Sequence, residues 1–179
     1  DLTSSGQTTS EAMVTLEDVL NLAAAGGLEL GRAADITTDV MSMFGLETDQ
    51  ASVVTDSLAR AAGSSSSSVS QLGEAYSNVG PGAAQFGLSV DDTSAILAVF
   101  AENGIKGGEA GTQLRSMLLN MNRTTPAVTA AFAELGTSMF DTEGNARDLD
   151  VVIQEINEGL ADKTPEEQTR LLTDLGGSY

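Results

Sequence analysis

The 179-residue sequence contains no cysteine, no histidine and no tryptophan, and only 4% of its residues are aromatic. Without cysteine the chain cannot form disulfides, ligate iron–sulfur clusters or use a thiol nucleophile. Without histidine it lacks the commonest zinc ligand and the base of imidazole-dependent catalytic triads. These absences remove several large classes of enzyme and metalloprotein.

Basic residues are scarce as well, because 8 Lys and Arg accompany 26 Asp and Glu and leave a formal net charge of −18. A chain of this sign repels phosphate backbones, so we expect no direct nucleic-acid binding. No stretch approaches the roughly 18 uncharged apolar residues that a membrane-spanning helix needs, so we expect no transmembrane segment. The sequence begins without Met and stops at Gly-Gly-Ser-Tyr, and we interpret it as a fragment of a longer protein.

The apolar residues that are present follow a helical pattern. Hydrophobic residues make up 41% of the chain, and they recur at spacings of three and four, as on one face of an amphipathic helix. The pattern predicts an all-α fold, a bundle of about eight to ten short helices ended by glycine, in a single domain over residues 1–179. The predicted apolar stripes are Met13, Leu16, Leu20 and Ala23; Ala33, Ile36, Val40 and Met43; Ala51, Val54, Leu58 and Ala61; Val69, Leu72, Tyr76 and Val79; Ile96, Val99 and Phe100; Ala110, Leu114, Met117 and Met121; Val128, Ala131 and Leu135; Leu149, Val152, Ile156 and Leu160; and Leu171, Leu172 and Leu175.

Local signals mark the helix boundaries. A hydroxyl residue followed three positions later by Glu or Gln predicts a capping box, and a hydroxyl residue before proline predicts a helix start. Gly80-Pro81-Gly82 is predicted to break a helix. Near residues 138–148, short runs around a Glu-Gly-Asn turn predict either a small β-hairpin or a tight loop. The predicted helix starts are Thr8 with Glu11, Ser68 with Gln71, Ser89, Thr125-Pro126, and Thr164-Pro165 with Glu167.

Two parts of the sequence resemble each other weakly. Gly27-Leu28 and Gly45-Leu46 correspond to Gly87-Leu88 and Gly104-Ile105, with apolar residues at matching places between them. We interpret residues 28–62 and 88–122 as two related helical hairpins. Duplication and convergence on glycine-terminated helices both explain the pattern, and the period fits no common solenoid.

The densest glycine cluster, Gly104–Gly111, does not have the spacing of a phosphate-binding loop. Such a loop needs lysine after its last glycine, whereas Lys106 comes early and Glu109 would repel phosphate at the helix start. We therefore interpret the cluster as a connector between helices, with positive φ at one or two glycines.

Carboxylates and serines offer no better case for catalysis. The acidic run Asp141, Glu143, Asn145 and Asp148 has nearly the spacing of a calcium loop, but Gly144 is misplaced and no glutamate follows at the twelfth position, which favours a turn. The pairs Asp91-Asp92 and Glu166-Glu167 fall in first turns of predicted helices, where negative charge complements the helix dipole. The run Ser64–Ser68 is interpreted as a flexible connector.

The remaining polar residues also suggest structural roles. Serine needs a neighbouring base, and neither Lys106 nor Lys163 lies three residues after a serine. Arg115 and Arg123 are too scattered to form a basic patch, and Arg123 is explained by stabilisation of a helix C-terminus. We therefore assign no catalytic, cofactor-binding or metal-ligating residue, and we expect no cofactor and no enzymatic activity.

Several segments, taken together and in order, resemble the core region of phage tail tape measure proteins over residues 10–176. The longest is Ala-Glu-Asn-Gly-Ile-Lys-Gly-Gly-Glu-Ala-Gly-Thr-Gln-Leu-Arg at 101–115. The others are Gly-Leu-Glu-Leu-Gly-Arg-Ala-Ala-Asp-Ile at 27–36, Phe44-Gly45-Leu46, Leu-Gly-Glu-Ala at 72–75, Val79-Gly80-Pro81, Leu135-Gly136, Phe140-Asp141 and Gly144-Asn145.

The resemblance implies a structural component of a phage or prophage tail, located in the virion tail and in the host cytoplasm during assembly. It implies roles in tail assembly, length determination and genome delivery, and partners such as the tail tube, the tail tip and assembly chaperones; self-association is left open. Because glycine interrupts any heptad seam, we expect a compact helical module and not a length-setting coiled coil.

Two other functions remain as alternatives. A bacterial helical adaptor or surface interaction module without enzymatic activity would need an exposed apolar groove. An enzyme fragment would need a cluster of acids with perturbed pKa values.

Overall fold

The computed structural model describes residues 9–144 and 147–177, which form nine α-helices and no strand. A 3₁₀ turn at Thr48–Gln50 precedes the third helix. The all-α prediction is therefore confirmed. The helices are α1 (Thr9–Gly26), α2 (Leu30–Phe44), α3 (Ala51–Ser64), α4 (Val69–Gln85), α5 (Val90–Glu102), α6 (Gly107–Met121), α7 (Pro126–Leu135), α8 (Leu149–Leu160) and α9 (Pro165–Gly176).

Helix α4 occupies the centre of the bundle. It packs most extensively against α6 and also contacts α2, α3 and α5, while α1 packs on α2 and α3. The last three helices join this group through α9, which contacts both α6 and α7. Tyr76 on α4 is fully buried and meets the ring of Phe44 edge-on, with the centroids 5.9 Å apart. One contiguous core thus connects the helices.

Helix starts follow the predicted caps. The hydroxyl oxygens of Ser68, Ser89 and Thr164 each accept a hydrogen bond from the backbone N–H three residues later, and all three form capping boxes. Thr125 caps α7 in the same way ahead of Pro126. The predicted box of Thr8 with Glu11 lies outside the residues whose side chains are described. These bonds satisfy N–H groups that a helix end leaves unpaired.

Glycine followed by an apolar residue closes several helices, as predicted, whereas α3, α6 and α8 have Ser65, Asn122 and Ala161 at their C-caps and no glycine there. At the end of α2, Gly45 has a φ of +63° and the N–H of Leu46 donates to the carbonyl of Met41 over 2.9 Å. At the end of α5, Gly104 has a φ of +86° and Ile105 donates to Phe100 over 3.0 Å. This is the Schellman closure, which favours glycine because of its positive φ.

The closures at Gly45 and Gly104 occupy corresponding places in the two predicted repeats, 28–62 and 88–122. Each repeat also contains two helices in the same order, α2 with α3 and α5 with α6. An internal duplication stays a prediction, as does the assignment of 1–179 to one domain.

Helix α4 contradicts the prediction that Gly80-Pro81-Gly82 breaks it, because it continues through Pro81 to Gln85. Proline lacks one N–H and crowds the preceding turn, which weakens a helix without always ending it. Pro81 lies on the exposed side, whereas Gly80 is buried. A Cβ atom at Gly80 would meet the Sδ atom of Met43, so the glycine serves the packing of α4 against α2.

Some residues of the predicted stripes lie at the surface. On α1, Val19 and Leu22 are buried, whereas Leu16 and Leu20 are 39% and 48% exposed. On α5, Leu97 is buried and Val99 is 60% exposed. Leu172 on α9 is also exposed. These helices carry apolar residues on more than one face, so the sequence period alone does not identify the face that packs.

The stretch near 138–148 is a loop in its described part. The backbone N–H of Arg147 donates to the carbonyl of Met139 over 2.9 Å and closes it. Asp141 accepts a hydrogen bond from the N–H of Glu143 over 2.9 Å, which shapes the turn. In the described part of this stretch, Phe140 forms a single β-bridge and no residue lies in a strand, so the hairpin of two strands is not present there.

Candidate functional site

The glycine cluster before α6 is a connector between two helices. Gly104 and Gly107 have φ values of +86° and +58°, as the sequence predicted for one or two glycines. The Nζ atom of Lys106 donates to the carbonyl of Ser66 over 2.7 Å, and Glu109 lies in the first turn of α6. The lysine therefore fixes a neighbouring loop and does not face an anion site.

The serine run Ser64–Ser68, whose Ser66 carbonyl accepts the hydrogen bond from Lys106, is held by further hydrogen bonds. Ser66 Oγ donates to the carbonyl of Ala101 over 2.8 Å, and Ser65 Oγ donates to Ala61 over 2.8 Å. Ser67 is buried. The prediction of a flexible connector at Ser64–Ser68 needs correction, because serine hydroxyls close to the backbone of a helix end bind its free carbonyl groups.

The adjacent acids Asp91 and Asp92 have separate structural partners. Asp91 pairs with Arg60 over 2.6 Å and also accepts a hydrogen bond from Ser57. The carboxylate of Asp92 accepts a hydrogen bond from the backbone N–H of Ser89 over 3.0 Å, as part of the capping box. Asp91 therefore joins α5 to α3, and Asp92 caps α5.

The second acidic pair behaves in the same way. Glu167 accepts hydrogen bonds from the hydroxyl and the N–H of Thr164, and these bonds hold the pKa of its carboxyl below the ordinary value. Glu166 is exposed in the first turn of α9. A carboxylate at a helix N-terminus is stabilised by the dipole.

A half-buried ion pair fixes the loop before α8. Arg147 reaches Glu155 through both terminal nitrogens, at 2.9 Å and 2.8 Å, and Thr137 Oγ1 donates to the same carboxylate. The hydrogen bonds from Arg147, and next the one from Thr137, lower the pKa of Glu155 to about 2. Bidentate pairing of this kind holds a fixed geometry.

A second ion-pair cluster joins α7 to α9. The carboxylate of Glu134 lies 2.8 Å from the guanidinium of Arg170 and 3.5 Å from the ammonium of Lys163. The guanidinium of Arg170 also lies 3.5 Å from the carboxylate of Asp174. The hydrogen bond from Arg170 is the main reason that the pKa of Glu134 is lowered. Sequence reasoning missed this cluster, for which the four-residue spacing of Arg170 and Asp174 was the available signal.

The described members of the acidic run with nearly the spacing of a calcium loop belong to the turn and to the start of α8. Asp141 shapes the turn through Glu143, Asp148 precedes α8, and Asn145 lies outside the described residues. Within the described part of the chain, no three His, Cys, Asp or Glu residues are placed to hold a metal ion. In the same part, no helix has the length and hydropathy needed to cross a membrane.

The geometry thus assigns the polar residues to caps, ion pairs and loop closures, which is typical of a structural module. A profile of one family, the phage-related minor tail proteins, matches residues 1–177. The chain belongs to this family. The resemblance drawn from the motifs around Gly27–Ile36 and Ala101–Arg115 is therefore confirmed.

Two relatives of the chain are a tape measure protein and a probable tape measure protein. It is 36% identical over 177 residues to the tape measure protein of Pneumococcus phage Dp-1, across 99% of this chain and 15% of that protein. It is 26% identical over 137 residues to the probable tape measure protein of Escherichia phage P2, across 76% of this chain and 17% of that protein. The chain spans less than a fifth of either relative. No solved structure matches it.

Proposed function

We propose that the chain is a compact helical module of a tape measure protein, a structural component of a phage or prophage tail. The observation that carries this proposal is the identity of 36% with a tape measure protein over 99% of the chain. In this role the module takes part in tail assembly, length determination and genome delivery. The family match favours this function over a bacterial adaptor.

The packing supports a folded module and not a ruler, that is, a length-setting coiled coil. The longest described helix has 18 residues, and the chain turns back at glycines such as Gly45 and Gly104. A ruler built from a coiled coil needs an uninterrupted heptad seam over many turns. Helices α4 and α6 also pack side by side, with Gly111 directly against the backbone of Ala75. An extended chain would not bring these two helices together.

A structural role without catalysis agrees with how the acids are used. Asp91, Asp92, Glu155 and Glu167 are all held by partners within the fold. A pair of carboxylates that acts as acid and base must converge on a cleft. Asp91 and Asp92 do line one depression, but Asp91 is paired with Arg60 and Asp92 caps α5, so both carboxylates already have structural partners. We therefore propose no enzymatic activity for this module.

The proposed location is the virion tail, with the host cytoplasm as the place of assembly. The proposed partners are other tail proteins, namely the tail tube, the tail tip and assembly chaperones, with self-association as a further outcome to be measured. Direct nucleic-acid binding is not proposed, because a net charge of −18 opposes it.

The test is quantitative mass spectrometry of purified virions of a phage that carries this segment. The proposal predicts tryptic peptides of the segment in fixed ratio to the tail tube protein, both in whole virions and in isolated tails. Capsids separated from tails are the matched control. Peptides recovered only from the infected cell, or only with capsids, would contradict a role in the tail.

A further inference from the structure

The last three helices form a group of their own beside the first six. Helix α7 packs against α8 and α9, and α9 makes the extensive contact with the rest of the bundle, through α6. The ion pairs Arg60–Asp91 and Glu134–Arg170 each join helices of the same group. We call the boundary between α1–α6 and α7–α9 the seam.

Two depressions lie along the seam. One of about 370 Å³ is lined by Ser116 and Asn120 of α6 and by Gly177 after α9. The other, of about 330 Å³, is lined by Met121 at the end of α6 and by α7 residues such as Val128. The walls of an unfilled depression lack partner atoms, so the seam forgoes part of the packing energy of a closed interface. We therefore expect the seam to open more readily than the packed interior of either group.

The side chain of Asn120 crosses the seam. Its Nδ2 atom donates to the carbonyl oxygen of Leu175 over 2.7 Å and to that of Asp174 over 3.1 Å. These carbonyls lie in the last turn of α9, where a helix leaves its carbonyl groups without intrahelical partners. Asn120 of α6 therefore caps the C-terminal end of α9. Both acceptors are carbonyls, so the position requires the two N–H donors of an amide.

We propose that α7–α9 opens from α1–α6 as a unit, by rotation about residues 122–125, and that Asn120 is the latch that holds this unit closed. Residues 122–125 connect α6 to α7 and are all exposed, so a rotation there disturbs no buried side chain of the connection. Met121 and Val128 are buried at the seam. Opening exposes such apolar side chains to water, which keeps the open state a minority.

The latch depends on a hydrogen-bond donor, which makes Asn120→Asp its most specific test. The two side chains have nearly the same shape, but a carboxylate only accepts hydrogen bonds and would face two carbonyl oxygens. The negative end of the α9 dipole adds to the repulsion. Arg123 lines the same depression and offsets part of it, whereas the carboxylate of Asp174 is paired with Arg170. We therefore expect Asn120→Asp to weaken the latch at neutral pH.

The measurement is the labelling rate of a single buried thiol, which is specific because the chain contains no cysteine. Val128→Cys places the thiol at the seam, and Val54→Cys places it on α3 within the first group. The two valines are 2% and 0% exposed. A disulfide reagent needs access to the thiol, so labelling reports opening, and a short peptide of the same local sequence gives the rate for an open thiol. Relative to these peptides, Val128→Cys should label faster than Val54→Cys.

Variants of the latch should change labelling at the seam alone. Asn120→Asp should raise the labelling rate of Val128→Cys by about tenfold or more at neutral pH, equal to about 1.4 kcal/mol, and leave that of Val54→Cys unchanged. Asn120→Ala removes the bonds without adding charge, so it should have a smaller effect in the same direction. The matched control is Asn78→Asp, because Asn78 donates to the carbonyl of Gly108 over 2.8 Å within the first group. It should leave the rate of Val128→Cys unchanged.

Acid pH should restore the latch in Asn120→Asp. The introduced carboxyl has an ordinary pKa of about 4, and the carbonyls that it faces raise this pKa in the closed state. Once protonated, the carboxyl can donate a hydrogen bond again. The protonated form therefore favours the closed state, and the ratio of the Asn120→Asp rate to the wild-type rate at Val128→Cys should fall as the pH is lowered toward about 4. Asn120→Ala introduces no titrating group, so its ratio should stay constant.

Three results would overturn the proposal. Equal acceleration of Val128→Cys and Val54→Cys by Asn120→Asp would mean that the bundle opens as one unit. An unchanged rate of Val128→Cys in Asn120→Asp and in Asn120→Ala would remove Asn120 as the latch. A ratio for Asn120→Asp that does not depend on pH would mean that the hydrogen bonds to α9 do not hold the seam closed.

Discussion

A Cβ atom added to Gly111 on α6 would lie 2.1 Å from the carbonyl oxygen of Ala75 on α4. Both residues are buried, and the obstacle is backbone, which cannot rotate away as a side chain can. The two central helices therefore approach each other at a point where only glycine fits. The same arrangement joins α8 to α7, where a Cβ at Gly159 would lie 2.6 Å from the carbonyl oxygen of Leu135.

Gly111→Ala should destabilise the fold by roughly 1–3 kcal/mol, because overpacking forces the two helices apart. The matched control is Gly82→Ala on α4, where no atom lies within 4 Å of an added Cβ. Alanine is favoured over glycine in a helix by up to about 1 kcal/mol, so the control should be neutral or stabilising. Urea unfolding followed by circular dichroism measures both changes, and equal stability of the two variants would contradict the close approach.

Tyr76→Phe should cost roughly 1–3 kcal/mol of stability, through a lost hydrogen bond and a buried partner left unsatisfied. The Tyr76 hydroxyl lies 2.8 Å from the carbonyl of Val90, to which it donates, and 2.7 Å from the hydroxyl of Ser94. Ser94→Ala added to the Tyr76→Phe variant should cost less than in the wild type, since the network is already broken. Additive losses in this double-mutant cycle would contradict the buried network.

The buried Tyr76 should also make the stability of the fold depend on pH in the alkaline range. Burial raises the pKa of the Tyr76 phenol above its ordinary value of 10.0. A group with a raised pKa in the folded state contributes stability below its unfolded pKa and loses it as the pH rises. Ultraviolet titration should therefore show a phenol that resists ionisation above pH 10.0 and is missing in Tyr76→Phe. A Tyr76 phenol that titrates at its ordinary value in the folded protein would contradict its burial.

Much of the secondary structure could be predicted because its signals are local. Capping boxes at Ser68 and Thr164, and glycine closures such as Gly45, depend on a few neighbouring residues, and the structure has them where the sequence indicated. Contacts between helices were harder to predict. The passage of α4 through Pro81 depends on which side faces α2, and the exposure of Leu16 on α1 depends on which face packs.

The polar clusters were harder to predict because their members are brought together by the fold. Arg147 and Glu155 lie on opposite sides of a helix start, and Thr137 joins them only because the loop before α8 closes on itself. Glu134 meets Arg170 across two helices. No periodicity or spacing rule specifies such partners, whereas the family resemblance could be recognised from the order of glycine motifs alone.

The contribution of Glu155 to the free energy of unfolding should change with pH in the acid range. Its pKa falls from the ordinary value of 4.5 to about 2 on folding, so the contribution is present above pH 4.5 and is lost as the pH falls toward about 2. The difference in unfolding free energy between the wild type and Glu155→Gln should shrink over this range. Asp39→Asn, an exposed acid with no partner in the described part of the chain, is the matched control. A difference independent of pH would contradict the ion pair.

The most direct test of the central claim is tail length, measured by electron microscopy after in-frame deletion of this segment from its parent phage. A folded module predicts tails of nearly unchanged length together with failed assembly or lost infectivity. A deletion of equal length in a stretch with uninterrupted heptads is the matched control and should shorten the tail. If deletion of this segment itself shortens the tail by about 270 Å, the length of its 179 residues at 1.5 Å per residue, the segment is part of the ruler and the compact module is contradicted.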